Sequence, residues 1–235
     1  MPKGTRAVIM AGGKGTRLLP YTTLIPKPLV PIGERPILHF VLEMLRTSGV
    51  EKVTICVGHL AELIEAYFGD GSKWGLELEY AVEDKPLSTM GPLAYIDDLS
   101  EDFFVMNGDI LTDLDLAKVF RAHRRAKADM TVATYGREVK INYGVLNYEK
   151  KGKLVKRFTE KPSISYDVSM GVYVLNRRCL EHIRKGRAYG FDDLMDTLLA
   201  KKRPVLSYPY NGRWLDIGRP EDFEIAQTWE LTDAR

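Results

Sequence analysis

The sequence predicts an α/β fold in which a mostly parallel, mixed sheet is flanked by helices and carries a small antiparallel extension. In the first half, short apolar runs typical of buried strands alternate with segments whose apolar residues recur at helical spacing. Two of these runs end in glycine-bearing turns, at 12–13 and 107–109. In the middle of the chain, strand-like runs follow one another with short turns. We therefore expect ligands to bind where the parallel strands end.

The individual elements follow from apolar spacing and from the residues that bound each run. The first half is predicted to contain strands at 7–10, 50–58, 76–83 and 103–109 and helices at 37–49 and 61–70. The second half is predicted to contain strands at 130–136, 143–162 (with a turn at 150–153) and 170–176, and helices at 191–202 and 220–233. Gly49 suits a helix end, and Pro220 suits a first helical turn.

Length and composition limit the classes of protein that this chain can represent. With 235 residues, 45% of them hydrophobic, the chain can bury one substantial core, so we expect a single domain over residues 1–235. A net charge of +2 argues against a protein that coats nucleic acid. Cys56 and Cys179 match no zinc or redox spacing, which predicts two buried, reduced thiols. Without a signal sequence or a membrane span, a cytoplasmic protein is expected.

The most informative stretch runs from residue 11 to residue 37, AGGKGTRLLPYTTLIPKPLVPIGERPI. Its glycines leave backbone amides free to approach an anion, and Lys14, Arg17 and Lys27 add positive charge, so the stretch predicts a phosphate site. It is not a Walker loop, because Lys14 is followed by glycine. The dinucleotide fingerprint also fails, because Leu18 stands where it requires glycine or alanine, which argues against an NAD-dependent oxidoreductase.

Several motifs follow one another along the chain: GGKGTRLLPYT, PKPLVPIGERPIL, NGD at 107–109, YGV at 143–145, EKP at 160–162, MGVY at 170–173 and WLDIG at 214–218. Together they resemble the signature of the sugar-phosphate nucleotidyltransferases, also called nucleotide-sugar pyrophosphorylases. The resemblance implies a Rossmann-like catalytic domain that joins a sugar 1-phosphate to the nucleoside monophosphate of an NTP and releases pyrophosphate. Both mannose or heptose 1-phosphate guanylyltransferases and glucose 1-phosphate thymidylyl- or uridylyltransferases share this pattern.

The resemblance also implies roles for particular residues. The catalytic residues would be Arg17, Lys27 and Asp109, and Asp109 and Asp216 would be the ligands of a Mg²⁺ cofactor. The nucleotide would be bound by Ala11, Gly12, Gly13, Gly15, Thr16, Glu83, Ser88 and Gly91. The sugar phosphate would be bound by Gly144, Glu160, Lys161 and Gly171.

The nucleobase site departs from the family pattern. Relatives often carry a Leu-Gly-Thr-Ala-Gly-like segment, whereas this chain has Ser88 and Met90 in place of a glycine and a small residue. A backbone that passes close to a base tolerates such changes only if it shifts. Glu83 can accept hydrogen bonds from guanine, which favours GTP. Analogy with compact relatives that serve cell-envelope sugar synthesis favours a manno-configured sugar 1-phosphate with GTP over glucose 1-phosphate with dTTP or UTP. An exposed strand end is the alternative interpretation of Glu83.

Other interpretations of the chain stay open at this stage. A non-catalytic nucleotide-sugar sensor would be expected to lack Arg17, Lys27 or Asp109. A glycosyltransferase could use Asp113-Leu114-Asp115 as its Asp-x-Asp motif, although both aspartates are expected instead to cap a helix. The basic run at 121–127 is expected to form a solvated helix face.

Partners and further domains follow the same reasoning. The expected partners are an NTP and a sugar 1-phosphate, with no nucleic acid and no membrane, and no hexapeptide-repeat domain is expected after the catalytic domain. The apolar residues Phe223, Ile225 and Trp229 of the last helix could pack on the core or on a second subunit, which leaves a homo-oligomer open.

Overall fold

A computed structural model describes residues 1–149 and 154–229. The strands are β1 (Arg6–Met10), β2 (Pro31–Ile32), β3 (Arg35–Pro36), β4 (Lys52–Val57), β5 (Glu77–Val82), β6 (Asp102–Asn107), β7 (Ile110–Thr112), β8 (Met130–Lys140), β9 (Val145–Tyr148), β10 (Val155–Thr159), β11 (Ser163–Asn176), β12 (Val205–Tyr210) and β13 (Trp214–Asp216). The α-helices are α1 (Ile37–Thr47), α2 (Ala61–Phe68), α3 (Leu116–Ala126), α4 (Phe191–Ala200) and α5 (Pro220–Ala226). Short 3₁₀ turns connect several of them.

The central sheet confirms the predicted fold class. Its strand order is β12-β8-β11-β6-β1-β4-β5. Every neighbouring pair is parallel except the two that involve β11, which runs antiparallel to β6 and to β8. The carboxyl ends of β1, β4, β5 and β6 therefore meet at one edge, as expected for a sheet of this kind.

Alternation along the strands divides the core between the two faces of the sheet. In β1, Ala7 and Ile9 belong to the cluster under α1, α2 and α3, whereas Val8 belongs to the cluster under α4. A third, smaller cluster holds the loop after β1 against β7, β13 and α5. Both cysteines are buried and free, as predicted, and burial raises the pKa of the Cys179 thiol to about 12.

The antiparallel extension grows out of this sheet. Beyond Tyr135, β8 continues to Lys140 alongside the first half of β11, and β9 pairs with β10 as a separate hairpin. The predicted turn at 150–153 lies outside the described residues. No helix of the described part is long and apolar enough to cross a membrane.

Two details of the sequence interpretation change in the structure. Asp115 caps α3 as predicted, accepting a hydrogen bond from the Lys118 amide, but Asp113 does not. Asp113 instead accepts from the Arg213 amide at 2.8 Å, because β7 and β13 pair next to it. The last helix ends at Ala226, and residues 230–233 of the predicted helix lie outside the described chain.

Candidate active site

A cleft of about 380 Å³ opens where β1, β5 and β6 end. Its walls combine the glycine-rich loop after β1, the segment after β5 and the turn after β6. The lining residues are Met10, Ala11, Gly12, Gly13, Gly15, Thr16, Arg17, Leu18, Lys27, Pro28, Glu83, Pro86, Ser88, Thr89, Asn107, Gly108, Asp109 and Gly218. Most of the residues expected to bind the nucleotide or to act in catalysis therefore line one cleft, although they are far apart in sequence.

The glycine loop is shaped by close packing against its neighbours. Gly15 has a φ of +63°, and a Cβ there would lie 3.0 Å from side-chain atoms of both Thr22 and Lys27. The Thr22 hydroxyl donates to the Gly15 carbonyl at 2.9 Å. Only glycine fits this left-handed, crowded position, which turns the following residues, Thr16 and Arg17, along the cleft wall.

Lys27 and Asp109 form a largely buried ion pair at the base of the cleft. The Lys27 residue is 8% exposed, and its ammonium contacts Asp109 Oδ2. The other oxygen, Asp109 Oδ1, is buried and has no hydrogen-bond partner among the described residues. Buried polar atoms are nearly always satisfied, so an orphaned carboxylate oxygen in a cleft is a suitable ligand for a cation.

Asp216 lies close enough to this pair to be affected by its charge. Burial raises the pKa of the Asp216 carboxyl, the negative charge of Asp109 raises it further, and Lys27 and Arg17 act in the opposite direction. Two neighbouring carboxylates repel each other unless a cation lies between them. The described residues contain no group of three or more His, Cys, Asp or Glu that could hold a metal. Two carboxylates nevertheless fit Mg²⁺, because this ion keeps waters and substrate phosphates as its remaining ligands.

Arg17 lies against the backbone of Gly218, just after Asp216. A Cβ at Gly218 would lie 3.2 Å from the nearest guanidinium nitrogen and 3.4 Å from the guanidinium carbon of Arg17. A side chain at position 218 would therefore crowd the guanidinium of Arg17. Gly218 belongs to the WLDIG motif, but the sequence alone did not assign it this contact.

The segment from Leu87 to Gly91 is hydrogen-bonded to residues at the amino end of α4. The Tyr189 amide donates to the Leu87 carbonyl at 2.9 Å, and the Met90 and Gly91 amides both donate to the Tyr189 carbonyl at 2.9 Å. The Phe191 amide donates to Thr89 Oγ1 at 2.8 Å.

The structure accounts for Met90 and puts Ser88 in a strained backbone conformation. Ser88 adopts the left-handed region with a φ of +63°, so it occupies a backbone conformation that glycine adopts more easily. Met90 is fully buried and packs in the core beneath α4. Ser88 lines the cleft and Gly91 does not, because Gly91 packs against Leu87 and the Arg187 carbonyl.

Glu83 connects the glycine loop with the segment after β5. Its Oε2 accepts from the Leu87 amide at 2.9 Å, and its Oε1 would lie 2.8 Å from a Cβ at Gly12. Burial raises the pKa of the Glu83 carboxyl, and the Leu87 hydrogen bond partly opposes this. Glu83 is therefore not an exposed residue at the end of a strand. Its carboxylate lines the cleft and contacts both the glycine loop and the segment after β5.

The residues expected to bind the sugar phosphate lie outside the lining of this cleft. A Cβ at Gly144 would lie 3.1 Å from Glu160 Oε2, so these two residues are neighbours in the extension. Lys161 is exposed, with a φ of +43°. Gly171, with a φ of +73°, packs against the side chain of Asn107, which does line the cleft. Of the two glycines, Gly171 is the one that packs against a side chain of the cleft wall.

Three residues contribute to the site although the sequence interpretation gave them no role. Asn107 and Thr89 line the cleft, and Thr22 holds the glycine loop. Each lies within or beside one of the motifs described above, so its position near a motif was the sequence feature that could have pointed to it. Their contacts are long-range and cannot be deduced from spacing.

Comparison with known proteins identifies the family. A family model described as nucleotidyl transferase matches residues 6–232. The chain belongs to this family. It is 34% identical over 238 residues to a UTP–glucose-1-phosphate uridylyltransferase from Synechocystis, with 93% of this chain covered. It is 35% identical over 239 residues to the mannose-1-phosphate guanylyltransferase catalytic subunit beta of Drosophila pseudoobscura pseudoobscura, with 99% of this chain covered.

The matched relatives are longer, since this chain spans 61% and 64% of their respective lengths. Among solved structures, a glucose-1-phosphate thymidylyltransferase homologue from Bacillus anthracis has a TM-score of 0.76 at 21% identity, covering 96% of this chain and 95% of that chain. HddC from Yersinia pseudotuberculosis, in a complex with GMP-PN, has a TM-score of 0.73 at 25% identity, covering 96% of this chain and 99% of that chain. The nucleotidyl transferase fold is therefore shared across the described chain.

Proposed function

We propose that this chain is a sugar-1-phosphate nucleotidyltransferase, which joins a sugar 1-phosphate to an NTP and releases pyrophosphate. The observation that carries the proposal is the single cleft shared by the glycine loop, Arg17, Lys27 and Asp109. Free backbone amides, a guanidinium and a buried ammonium are the groups that a triphosphate requires. Membership of the nucleotidyl transferase family supports the same reaction.

The reaction brings two anions together, and the cleft residues counter their repulsion. An oxygen of the sugar phosphate attacks the α-phosphorus of the NTP, the bond to the β-phosphate oxygen breaks, and pyrophosphate leaves in line. The amides from Ala11 to Thr16 and the guanidinium of Arg17 hold the triphosphate, and Arg17 can bind phosphate oxygens in a bidentate manner. Lys27, whose ammonium contacts Asp109, stabilises the charge that grows on the reacting phosphates.

Asp109 and Asp216 are the residues that would hold Mg²⁺. The orphaned Asp109 Oδ1 and the mutual repulsion of the two carboxylates both favour a cation at this point. When bound, the ion supplies neutralisation of phosphate charge. Members of the nucleotidyl transferase family generally use divalent metal ions.

The sugar phosphate is assigned to the antiparallel extension. Glu160 would accept hydrogen bonds from sugar hydroxyls, and Lys161 would contact the phosphate of the sugar. Gly144 and Gly171 would lie beside the sugar ring, and in the structure the Phe158 ring packs against Gly144 and the Asn107 side chain against Gly171. These residues lie outside the cleft lining, so this assignment places the two substrates in adjoining sites.

For the substrates, GTP with a manno-configured sugar 1-phosphate, mannose or heptose, is the first choice. Glu83 lines the cleft, and a carboxylate there can accept from the N–H groups of guanine. The 35% identity to a mannose-1-phosphate guanylyltransferase agrees with this choice. The 34% identity to a glucose-1-phosphate uridylyltransferase supports the alternative, glucose 1-phosphate with UTP or dTTP.

A direct assay tests the proposal. The purified chain and Mg²⁺ are incubated with GTP, ATP, CTP, UTP or dTTP against a panel of sugar 1-phosphates, and pyrophosphate release and product mass are recorded. Lys27→Ala and Asp109→Ala should each reduce turnover by about 100-fold or more, because the first removes a cation at the reacting phosphates and the second removes a ligand of Mg²⁺. Lys118→Ala, which removes an exposed lysine on α3, is the matched control.

The outcomes separate the candidate functions. A nucleotide-sugar product from one pair of substrates, lost in both variants and retained in the control, supports the enzyme. Tight binding of a nucleotide-sugar without turnover for any pair would instead support a non-catalytic sensor. A strong preference for ATP or CTP would rule out both proposed substrate pairs.

A further inference from the structure

Arg137 is a cation of the antiparallel extension that lies outside every motif described above. Its guanidinium carbon lies over two aromatic rings, 5.5 Å from the ring centroid of Tyr135 and 5.1 Å from that of Trp214. The two rings contact each other, with their centroids 5.3 Å apart. Both distances from the cation are within the roughly 6 Å over which a ring face attracts it, so the rings hold the guanidinium in place.

The charge of Arg137 is not neutralised by the residues around it. Among the described residues, its side chain forms no ion pair and no hydrogen bond. Arg137 pairs with Tyr166 of β11. Because side chains alternate along a strand, the adjacent carboxylates Glu138 and Asp167 lie on the opposite face of the two strands. The guanidinium therefore keeps its N–H groups available for an anion.

The contacts of Trp214 connect this cation to the candidate active site. The indole Nε1 of Trp214 donates to the Met170 carbonyl at 3.0 Å. Met170 precedes Gly171, which packs against the Asn107 side chain in the cleft wall. Trp214 also stands two positions before Asp216 in β13, so the two side chains lie on the same face of that strand. One indole ring thus lies between the guanidinium and the cleft wall.

The NTP is not the anion that Arg137 would meet. Neither Arg137 nor Trp214 belongs to the lining of the cleft assigned to the NTP. In the central sheet β11 separates β8 from β6, which places β8 about 10 Å from the strand that leads to Asp109. A molecule that reaches from Asp109 to Arg137 must therefore extend across β11 toward the extension, where the sugar phosphate is assigned.

The chemistry of a guanidinium supported by rings defines the class of ligand. Its planar fork can bind two oxygens of one phosphate or carboxylate, which a lysine ammonium cannot do. The aromatic rings beside it add apolar surface, as in sites where a few polar groups orient a ligand against aromatic side chains. Every sugar 1-phosphate carries one acidic group, and a sugar acid or a sugar bisphosphate carries a second.

We propose that Arg137, held by Tyr135 and Trp214, binds an acidic group of the sugar substrate and thereby helps to select that substrate. The inference rests on the proposed function, because it assumes that a sugar 1-phosphate extends from the cleft toward the extension. The acidic group is either the 1-phosphate itself or a second phosphate or carboxylate on the sugar.

Three variants test this role of Arg137. Arg137→Met keeps an unbranched apolar stem over the rings and removes the charge and its N–H donors. Arg137→Lys keeps the charge without the planar fork. Arg157→Met is the matched control, because Arg157 is an exposed arginine of β10 in the same extension and has no ring contact among the described residues. Thermal unfolding establishes that each variant is folded.

Steady-state kinetics would give kcat and KM for neutral sugars (mannose 1-phosphate and glucose 1-phosphate) and for acidic ones (glucuronic acid 1-phosphate and mannose 1,6-bisphosphate). We expect Arg137→Met to raise the KM for the sugar about 10-fold or more, as for a lost charge-assisted hydrogen bond, with kcat and the KM for the NTP unchanged. Arg137→Lys should lie between Arg137→Met and the parent chain, and Arg157→Met should match the parent chain.

The pattern across the sugars identifies the acidic group. An equal loss for neutral and acidic sugars assigns Arg137 to the 1-phosphate, and a loss confined to the acidic sugars assigns it to the second group. An unchanged sugar KM in Arg137→Met for every sugar overturns the proposal, as does an equal change in Arg157→Met.

Equilibrium binding separates failure of this proposal from failure of the proposed function. Isothermal titration calorimetry with the same four sugars needs no turnover. If no substrate pair reacts but one sugar binds the parent chain about 10-fold more tightly than it binds Arg137→Met, the reaction fails and the acid-binding site stands. If turnover occurs and Arg137→Met changes neither KM nor Kd, the reaction stands and the site fails. A chain that neither reacts with nor binds any of these sugars overturns both.

Discussion

Gly171 shows how a single residue connects the antiparallel extension to the cleft. Its φ of +73° is unfavourable for any residue with a Cβ, and a Cβ there would lie 2.6 Å from Asn107 Nδ2. We predict that Gly171→Ala lowers the free energy of unfolding by about 2 kcal/mol or more, through backbone strain and overpacking, and that it displaces Asn107.

Urea unfolding and steady-state kinetics would measure these effects of Gly171→Ala. Gly136→Ala is the matched control, because Gly136 has no positive φ and no atom lies within 4 Å of its Cβ position. If both variants had equal stability and equal activity, the Asn107 contact would have no importance.

Thr22 provides a second prediction at the scale of one residue. Its hydroxyl donates to the Gly15 carbonyl, which also accepts from the Leu18 amide. Thr22→Val should weaken NTP binding about fivefold, since a single hydrogen bond contributes about 1 kcal/mol. Thr22→Ser should bind the NTP as the parent chain does, because it keeps the hydroxyl. Isothermal titration calorimetry measures the NTP affinity of each variant, and equal affinities for the two variants would contradict the prediction.

Among elements, α3 carries a buried histidine that links it to the central sheet. His123 is 1% exposed, with Nδ1 2.8 Å from Thr131 Oγ1 and Nε2 3.3 Å from Asp102 Oδ1. Burial lowers the pKa of His123, although the neighbouring Asp102 carboxylate opposes this. The unfolded chain therefore takes up a proton at a higher pH than the folded chain does.

The stability of the fold should consequently depend on pH through His123. The stability that depends on a neutral, buried His123 is fully present above the pKa of the unfolded chain, about 6.5. It is lost as the pH falls through the lower pKa of the folded chain. We predict that His123→Gln reduces the decrease in unfolding free energy between pH 7 and pH 5. Denaturant titrations at several pH values measure this. His59→Gln, which replaces an exposed histidine, should keep the pH dependence of the parent chain.

The segment after β5 shows the limit of reasoning from one element at a time. In the sequence, Ser88 and Met90 depart from the pattern that relatives show in the segment expected to contact the nucleobase. In the structure, Tyr189 and Phe191 hold this loop from the amino end of α4, and Met90 serves the core. The loop conformation therefore depends on residues about one hundred positions away, which no local pattern can indicate.

At the scale of the whole molecule, the cleft predicts that substrate stabilises the fold. A ligand at 100 times its dissociation constant adds about 2.7 kcal/mol, which for a chain of this length raises the unfolding temperature by roughly 5–10 °C. We expect the preferred NTP with Mg²⁺ to produce such a shift, and Arg17→Ala to reduce it, because Arg17 is assigned to the triphosphate. Differential scanning fluorimetry measures the shift. An undiminished shift in the Arg17 variant would contradict that role.

The sequence by itself determined the α/β class, the order of the main elements, the glycine loop and the cleft residues that stand in its motifs. It could do so because periodicity and turn residues are local properties and because the motifs occur in one continuous order. Only the tertiary structure decided that Lys27 pairs with Asp109, that Glu83 joins two loops and that residues at the amino end of α4 hold the segment after β5. Those features are contacts between distant segments, and they exist only when the sheet brings the strand ends together.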